Sequence, residues 1–323
     1  MDRRHFFAAA AAATAAAGTL QSAAAATEKP TLKGPYIDLT TGKGTVNLLA
    51  RINGNMDETK VKYGSASGII SAVREKEKVQ DLFGFEVVAV AKNEAQKDGS
   101  VRCYHREAIL YTNLATGEVL TEYKNPFSDE LVKVVDVIND PWNEHFEEFA
   151  KPAPSYGGLN QAAADAPRKE NVLPWQLLPN GLITALRNVN LYYKSALQPD
   201  QWPRESSGPM NQVSECYTYV VNLAEAQNPK LTSLQTTGTW SRVTPWLPWM
   251  LMGTAPGHVL YQSTVMNFDD INFFKKPVRA HMEKNYPHML VPPPKESWDK
   301  PNLSSLEVYA KTQKPASAKA PKS

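Results

Sequence analysis

The sequence lacks the short motifs by which many enzymes bind nucleotides, phosphates or catalytic zinc. Its 323 residues contain no Gly-x-Gly-x-x-Gly segment, no Gly-Lys-Ser/Thr phosphate loop and no His-Glu-x-x-His pair. The Gly-x-Ser-x-Gly turn that carries the nucleophile of many hydrolases is absent as well. An enzyme built from this chain is therefore expected to use no cofactor. It would act through its own side chains, with a metal gathered from distant positions as the open alternative.

Cysteine is scarce, and its two positions exclude the common thiol-based sites. Cys103 and Cys216 form no Cys-x-x-Cys pair, so neither a redox motif nor a zinc ribbon is expected. A disulfide between them is one alternative, and two thiols buried in strands are the favoured one. The histidines beyond the first 26 residues show no metal-ligand spacing, so no metal site is predicted.

The chain also lacks an excess of charge of one sign. Its formal net charge is +2 at pH 7. Binding to nucleic acid needs a concentrated basic surface, so no nucleic-acid partner is expected. The one basic cluster lies in residues 301–323, where lysine is mixed with Ala, Pro and Ser. This composition buries little apolar surface and predicts a disordered tail.

An alanine-rich run without charged residues lies near the N-terminus and has the order of an export signal. Arg3 and Arg4 precede an alanine-rich stretch, and Glu28 is the first acidic residue after it. Paired arginines are typical of twin-arginine leaders. Alanine is too weakly apolar to favour a spanning helix. We expect the twin-arginine export machinery to carry the protein to the periplasm, where residues 1–26 are removed and no membrane anchor is left.

Short apolar runs separated by turn residues predict a mainly β protein. We expect one antiparallel sheet, curled or barrel-like, in a single domain with a few short helices. An extended segment, 27–44, would lead into this domain, which spans 45–300 and precedes the tail. The predicted strands are 46–52, 83–91, 102–111, 119–123, 131–138, 182–193, 215–223, 233–243 and 258–266.

Helical signals are fewer. Asp140 as an N-cap and Pro141 at the first helical position predict a helix over 141–149. Two further segments, 267–274 and 277–286, also have helix starts, whereas 150–169 reads as a long loop.

Two segments carry a resemblance to a known family. Residues 111–126 read YTNLATGEVLTEYKNP and are followed by Asn-Asp-Pro at 139–141, while residues 246–257 read WLPWMLMGTAPG. This pattern resembles the domain-of-unknown-function family 1838, although Tyr123 stands where that family usually has tryptophan. The resemblance implies an antiparallel β protein, often with an export signal, and implies no particular activity.

The segment 101–111 concentrates ionisable residues. Alternate residues of a strand share a face, which places His105, Glu107 and Tyr111 on one side. We interpret His105 or Glu107 as a general base and Tyr111 as a general acid, with Tyr217 as a second candidate acid. The alternative is a solvated strand whose other face carries Arg106 paired across the sheet.

Aromatic residues give the clearest indication of a ligand. Pro245 and Pro248 hold a tryptophan-rich segment out of a helix, and tyrosines come from neighbouring predicted strands. Such rings suit a cavity for a flat apolar or phenolic molecule, and ordinary core filling is the alternative. The arginines nearby are candidate anion clamps. The candidate substrate-binding residues are Arg187, Arg242, Trp246, Trp249 and Tyr261.

Two hypotheses of function follow. The first is a cofactor-independent lyase of the retro-aldol, deformylation or dehydration type, acting in aromatic-compound catabolism on a small hydrophobic phenolic molecule. The second is a periplasmic β-barrel carrier of an aryl, steroid or isoprenoid ligand. A structural envelope protein with a packed interior is a third. Ionisable residues that converge in a cavity with Trp246 or Trp249 would favour the enzyme, and a wholly apolar cavity would favour the carrier.

Overall fold

The computed structural model describes residues 31–150 and 165–317, so the predicted leader lies outside the described residues. The prediction of a mainly β, single-domain protein is confirmed: within the described residues, one antiparallel sheet contains ten strands, and four short helices accompany it. The helices are α1 Gly42–Asn53, α2 Leu223–Ala226, α3 Lys276–Asn285 and α4 Ser305–Thr312. The strands are β1 Lys62–Val73, β2 Gln80–Ala95, β3 Val101–Thr112, β4 Glu122–Lys124, β5 Leu131–Lys133, β6 Val137–Asn139, β7 Glu144–Phe146, β8 Phe149–Ala150, β9 Lys169–Glu170, β10 Gln176–Leu177, β11 Leu182–Lys194, β12 Met210–Asn222, β13 Thr237–Thr244 and β14 His258–Phe268.

The large sheet has the strand order β10-β11-β12-β13-β14-β1-β2-β3-β6, and β7 also pairs with β3. In the part of the chain that the structure describes, its two edges do not pair, so the sheet is curled and not closed into a barrel. Residues of β3 and β11, which lie toward opposite edges, line the same cavity. One face of the sheet is therefore concave and encloses a hollow.

Strand β1 lies in the middle of the sheet between β14 and β2, in a segment for which no strand was predicted. Its sequence, KYGSASGIISAV, is dominated by small residues that lack β propensity. Gly64 pairs with Ala89, and Ala66 pairs with Val87, all on the concave face. These small side chains leave the space that the hollow occupies.

Helix α1 replaces the strand predicted over 46–52 and begins inside the segment predicted to be extended. Thr41 caps it by accepting a hydrogen bond from the backbone N–H of Gly44 at 3.1 Å. The apolar positions Val46, Leu49 and Ile52 recur every three residues, which is a helical period that the strand prediction overlooked. They pack in one cluster with residues of β2, β3, β11 and β12, so α1 closes one end of the curl.

The helix predicted over 141–149 is wrong. This segment pairs with β3 at the edge of the sheet, where Asn139 of β6 lies opposite Glu107 and Glu144 of β7 lies opposite Cys103. The carboxylate of Asp140 does not cap a helix, because it accepts a hydrogen bond from Arg106 Nε at 2.6 Å. Pairing with the sheet has overridden the local helix-start signal.

The prediction of a disordered tail over 301–323 also fails for its described part, 301–317. Ser304 and Glu307 form a capping box at the start of α4, each bonding the backbone N–H of the other. Tyr309 packs edge-on against Trp202, with ring centroids 5.8 Å apart. Composition alone did not reveal that these few apolar residues dock on the domain.

Aromatic residues fill the end of the curl opposite α1. Trp249 packs against Phe83, Tyr111 and Tyr123, with ring centroids 5.2, 5.1 and 6.0 Å away. On the convex face, α3 covers β2 and β3 through Val278. None of the helices in the described residues is long and apolar enough to cross a membrane. Cys103 and Cys216 are both free, as favoured from the sequence, although Cys216 is only half-buried.

Candidate functional site

The concave face of the sheet encloses a cavity of about 1000 Å³, which is within the size range of small-molecule sites. We call it the main cavity. Its apolar wall consists of Ala66, Val87, Ile109, Val189 and Val265. Charged and aromatic side chains interrupt this wall on the β3 side and on the β11–β13 side.

The inner face of β3 contributes the two ionisable residues that the strand pattern brought together. His105 and Glu107 both line the main cavity. His105 Nδ1 donates a hydrogen bond to the carbonyl oxygen of Trp142 at 3.1 Å, so Nε2 is the ring nitrogen left for another partner. Tyr111 lies four residues after Glu107 on β3. It is almost fully buried and lies outside the main cavity.

The surroundings of Glu107 make its carboxyl group a weaker acid than a solvated one. Burial raises the pKa of Glu107, while His105 and the hydrogen bond from Asn139 counteract this and the charge of Glu215 adds to it. Asn139 Nδ2 donates to Glu107 Oε1 at 2.7 Å. The net result is a carboxyl group whose pKa is shifted toward the range where general acids and bases work.

Across the cavity from β3, Glu215 of β12 organises a polar cluster. Its Oε2 accepts hydrogen bonds from the Tyr217 hydroxyl at 2.6 Å and from Trp240 Nε1 at 3.2 Å. Its Oε1 lies 3.5 Å from Arg242 Nε. Burial raises the pKa of Tyr217, and the Glu215 carboxylate raises it further, so this phenol stays protonated. The Trp240 and Tyr217 rings are stacked, with centroids 6.2 Å apart.

Two arginines point their charge into the same region. Burial lowers the pKa of Arg242, but Glu215 and nearby tyrosines outweigh it, so the net pKa is raised and the guanidinium stays charged. Burial likewise lowers the pKa of Arg187, and Tyr219 and Glu144 raise it above its ordinary value. Arg187 forms no ion pair with any described residue, and its side chain is open to the cavity. It is the cation better placed to receive an anion.

A second, smaller cavity of about 80 Å³ adjoins the first, and we call it the small cavity. Glu107, Asn139 and Arg242 line both. Trp246, Trp249, Tyr111 and Tyr261 line only the small cavity. Segments of α4 cover it.

The structure therefore divides the predicted site residues into two groups. The main cavity brings together His105, Glu107, Arg187, Tyr217 and Arg242. Trp246 and Trp249, predicted as ring-stacking walls, are each 3% exposed and belong to the aromatic cluster at the end of the curl. Trp240 is the tryptophan that lines the main cavity.

Several residues of the site were not singled out from the sequence. Glu215 is one of them; it lies two residues before the predicted Tyr217 on β12, so the alternation that linked His105 to Glu107 would also have linked Glu215 to the site. Asn139 gave no local signal, since its role depends on pairing with Glu107 across the sheet. No group of three His, Cys, Asp or Glu residues among those described is arranged to hold a metal ion.

Comparison with known families gives one match. The model of the family described as "Protein of unknown function (DUF1838)" matches residues 60–313, which is more than half of the chain. The matched region runs from the start of β1 to the end of α4 and leaves α1 outside. No match was found among the curated proteins.

Proposed function

This chain belongs to a family of proteins of unknown function (DUF1838), and from its main cavity we propose that it is a cofactor-independent lyase. Its substrate would be a hydrophobic phenolic compound. The observation that carries this proposal is Glu107: a half-buried carboxyl group with a raised pKa, which lines the main cavity together with His105 and two arginines. A site for apolar binding alone has no need of such groups.

The cavity residues have complementary roles in this chemistry. The apolar wall and Trp240 hold the aromatic body. Arg187 or Arg242 stabilises the phenolate, which pushes electrons through the ring and expels a benzylic oxygen that an acid, Tyr217 or Tyr111, protonates. Glu107 or His105 then takes the proton of a neighbouring hydroxymethyl group. The C–C bond breaks, formaldehyde leaves, and the bonding electrons return to the ring as a new C=C bond and a phenolate.

The test is incubation of the purified protein with phenolic biaryl compounds that carry a hydroxymethyl group, without added cofactor. We expect equal molar amounts of formaldehyde and of a product with a new conjugated absorbance. Glu107→Gln should lower the rate by at least about 100-fold, since positioned acid–base groups contribute roughly that much. The control Glu122→Gln changes an exposed carboxylate of β4 and should leave the rate unchanged.

The role assignment fails if Glu107→Gln, His105→Ala and Tyr111→Phe all keep the wild-type rate. Formation of no product from any phenolic compound would count against a lyase. The second candidate, a carrier, is favoured by the large size and the Val- and Ala-rich wall of the main cavity. A carrier would bind the same compounds and return them unchanged.

The place of action is also a proposal. The twin arginines at positions 3 and 4 and the alanine-rich stretch after them favour export to the periplasm. N-terminal sequencing of the protein from the periplasmic fraction should find a start near residue 27. Recovery of the intact N-terminus from the cytoplasm would contradict it.

A further inference from the structure

The small cavity is lined by polar side-chain atoms that have no hydrogen-bond partner in the described structure. Asn139 Oδ1, Glu205 Oε2, Ser207 Oγ and Asn211 Nδ2 are all buried without one. The side chains of Asn139, Glu205 and Asn211 are themselves 4%, 3% and 3% exposed. Buried polar atoms are nearly always paired in native proteins, so several unpaired ones around one cavity indicate a missing partner.

Two of these side chains are held in place by hydrogen bonds. Asn139 donates through its amide to Glu107 at 2.7 Å, which leaves its carbonyl oxygen for another donor. Glu205 accepts from the backbone N–H of Ala316 through Oε1 at 2.6 Å, which leaves Oε2. Both groups therefore present a fixed acceptor to the small cavity. Arg242 Nε, which lies 3.5 Å from Glu215 Oε1 in an ion pair but makes no hydrogen bond, adds a donor at the boundary with the main cavity.

The volume is larger than one water molecule requires. A single water needs roughly 10–15 Å³ of such space, and the small cavity has about 80 Å³. It is also closed on one side by α4 and the segment after it, through residues such as Tyr309. A group of several non-hydrogen atoms fits there, in contact with a ligand in the main cavity.

The polar atoms that line the small cavity determine which chemical group of a ligand can bind there. Acceptors (Asn139 Oδ1 and Glu205 Oε2) stand beside donors (Asn211 Nδ2 and Arg242 Nε). A carboxylate or phosphate would face Glu205 and Glu107, and an ammonium would face Arg242. A hydroxyl both donates and accepts, and Ser207 can do the same. We infer that the small cavity is a binding subsite for a hydroxyl-bearing, uncharged group, such as a vicinal diol, of a ligand whose apolar body fills the main cavity.

This subsite does not depend on any reaction. It goes beyond the proposed lyase function, because a carrier would use the same hydroxyl recognition. It also sets the orientation of the ligand: the hydroxyl-bearing carbons lie next to Glu107 and Asn139, which line both cavities.

The test measures binding and not turnover, by isothermal titration of the full chain with a matched pair of probes. The first probe is 3-phenoxypropane-1,2-diol, and the second is propoxybenzene, which has the same skeleton without hydroxyl groups. We expect the wild type to bind the diol at least tenfold more tightly. Ser207→Ala and Asn211→Leu should each reduce this preference by about threefold or more, since each removes one hydrogen-bonding group.

A matched control is available in Ser233→Ala. Ser233 Oγ is also buried without a hydrogen-bond partner, but Ser233 lines neither cavity. This variant should keep the full preference for the diol, and thermal unfolding should show that all three variants are folded. Equal binding of the two probes, binding of neither, or a preference unchanged in both Ser207→Ala and Asn211→Leu would mean that the small cavity holds only water, and would overturn the inference. A diol preference without turnover of any phenolic compound would leave the subsite standing and reject the lyase.

Discussion

At the scale of single residues, Glu107 carries the most chemical information. It lies on the concave face of a central part of β3, it is half-buried, and its neighbours do not fully compensate for the loss of water. A protein that only needed stability would gain by replacing such a group. Ionisable groups with shifted pKa values are concentrated at functional sites, so Glu107 is the residue on which the proposed function chiefly rests.

The raised pKa of Glu107 predicts a pH-dependent cost in stability. A carboxyl whose folded-state pKa lies above its unfolded value stabilises the fold fully at low pH. That contribution is lost as the pH rises through the folded pKa. Glu107→Gln stays neutral throughout and can still accept from Asn139. The free energy of unfolding of this variant, relative to wild type, should therefore increase between about pH 4 and pH 7. Urea unfolding at both pH values checks this, and a difference that stays constant or shrinks with pH would contradict it.

We predict that the indole of Trp249 contributes more to the stability of the fold than to ligand binding. It contacts Phe83, Tyr111 and Tyr123 in the aromatic cluster, so Trp249→Ala should lower the free energy of unfolding by about 3–5 kcal/mol. Trp298, which is only partly buried, offers the control, and Trp298→Ala should cost clearly less. Denaturant unfolding measures both. Similar costs for the two variants would show that Trp249 is not a core residue.

At the scale of elements, the sequence predicted secondary structure correctly where the residue periodicity was strong. It was misleading where pairing between strands determined the structure. The alternating residues of β3 predicted both the strand and the shared face of His105 and Glu107. No pattern predicted strand β1, because its glycines, serines and alanines have low β propensity. Their small side chains leave room for the main cavity. The segment 141–149 satisfied a helix-start rule, yet edge pairing with β3 determined its structure. The cavity partners Asn139 and Glu215 come from strands distant in sequence, which no local pattern connects.

Helix α4 is an element whose stability depends on its capping box. Ser304→Ala removes the side-chain acceptor for the Glu307 backbone N–H and should cost about 1 kcal/mol. Glu307→Gln keeps an acceptor for the Ser304 backbone N–H and should cost less. Because α4 covers the small cavity, loss of the helix should also expose Tyr309, which limited proteolysis of residues 301–317 would detect. Protease resistance equal to wild type in Ser304→Ala would mean that the cap does not hold this helix.

At the scale of the whole molecule, the curled sheet works as a container. Helix α1 closes one end, the aromatic cluster closes the other, and small residues of β1 keep the middle hollow. Strands β3 and β12 face each other across the hollow, so the charge of Glu107 contributes to the raised pKa of Tyr217. Ionisable groups, cations and an apolar wall are thereby collected around one cavity.

The most direct test is ligand binding to a variant in which a larger side chain fills part of the main cavity. A Cβ built on Gly64 meets Ala89 Cβ at 3.4 Å and no closer atom, so larger side chains there extend into the cavity without a backbone clash. Isothermal titration with 4-phenylphenol should show binding to wild type and to the control Gly64→Ala. Binding to Gly64→Leu should be at least tenfold weaker, with an unchanged circular dichroism spectrum. Equal affinity for all three proteins, or no affinity for any, would contradict the claim that this sheet encloses a site for a hydrophobic phenol.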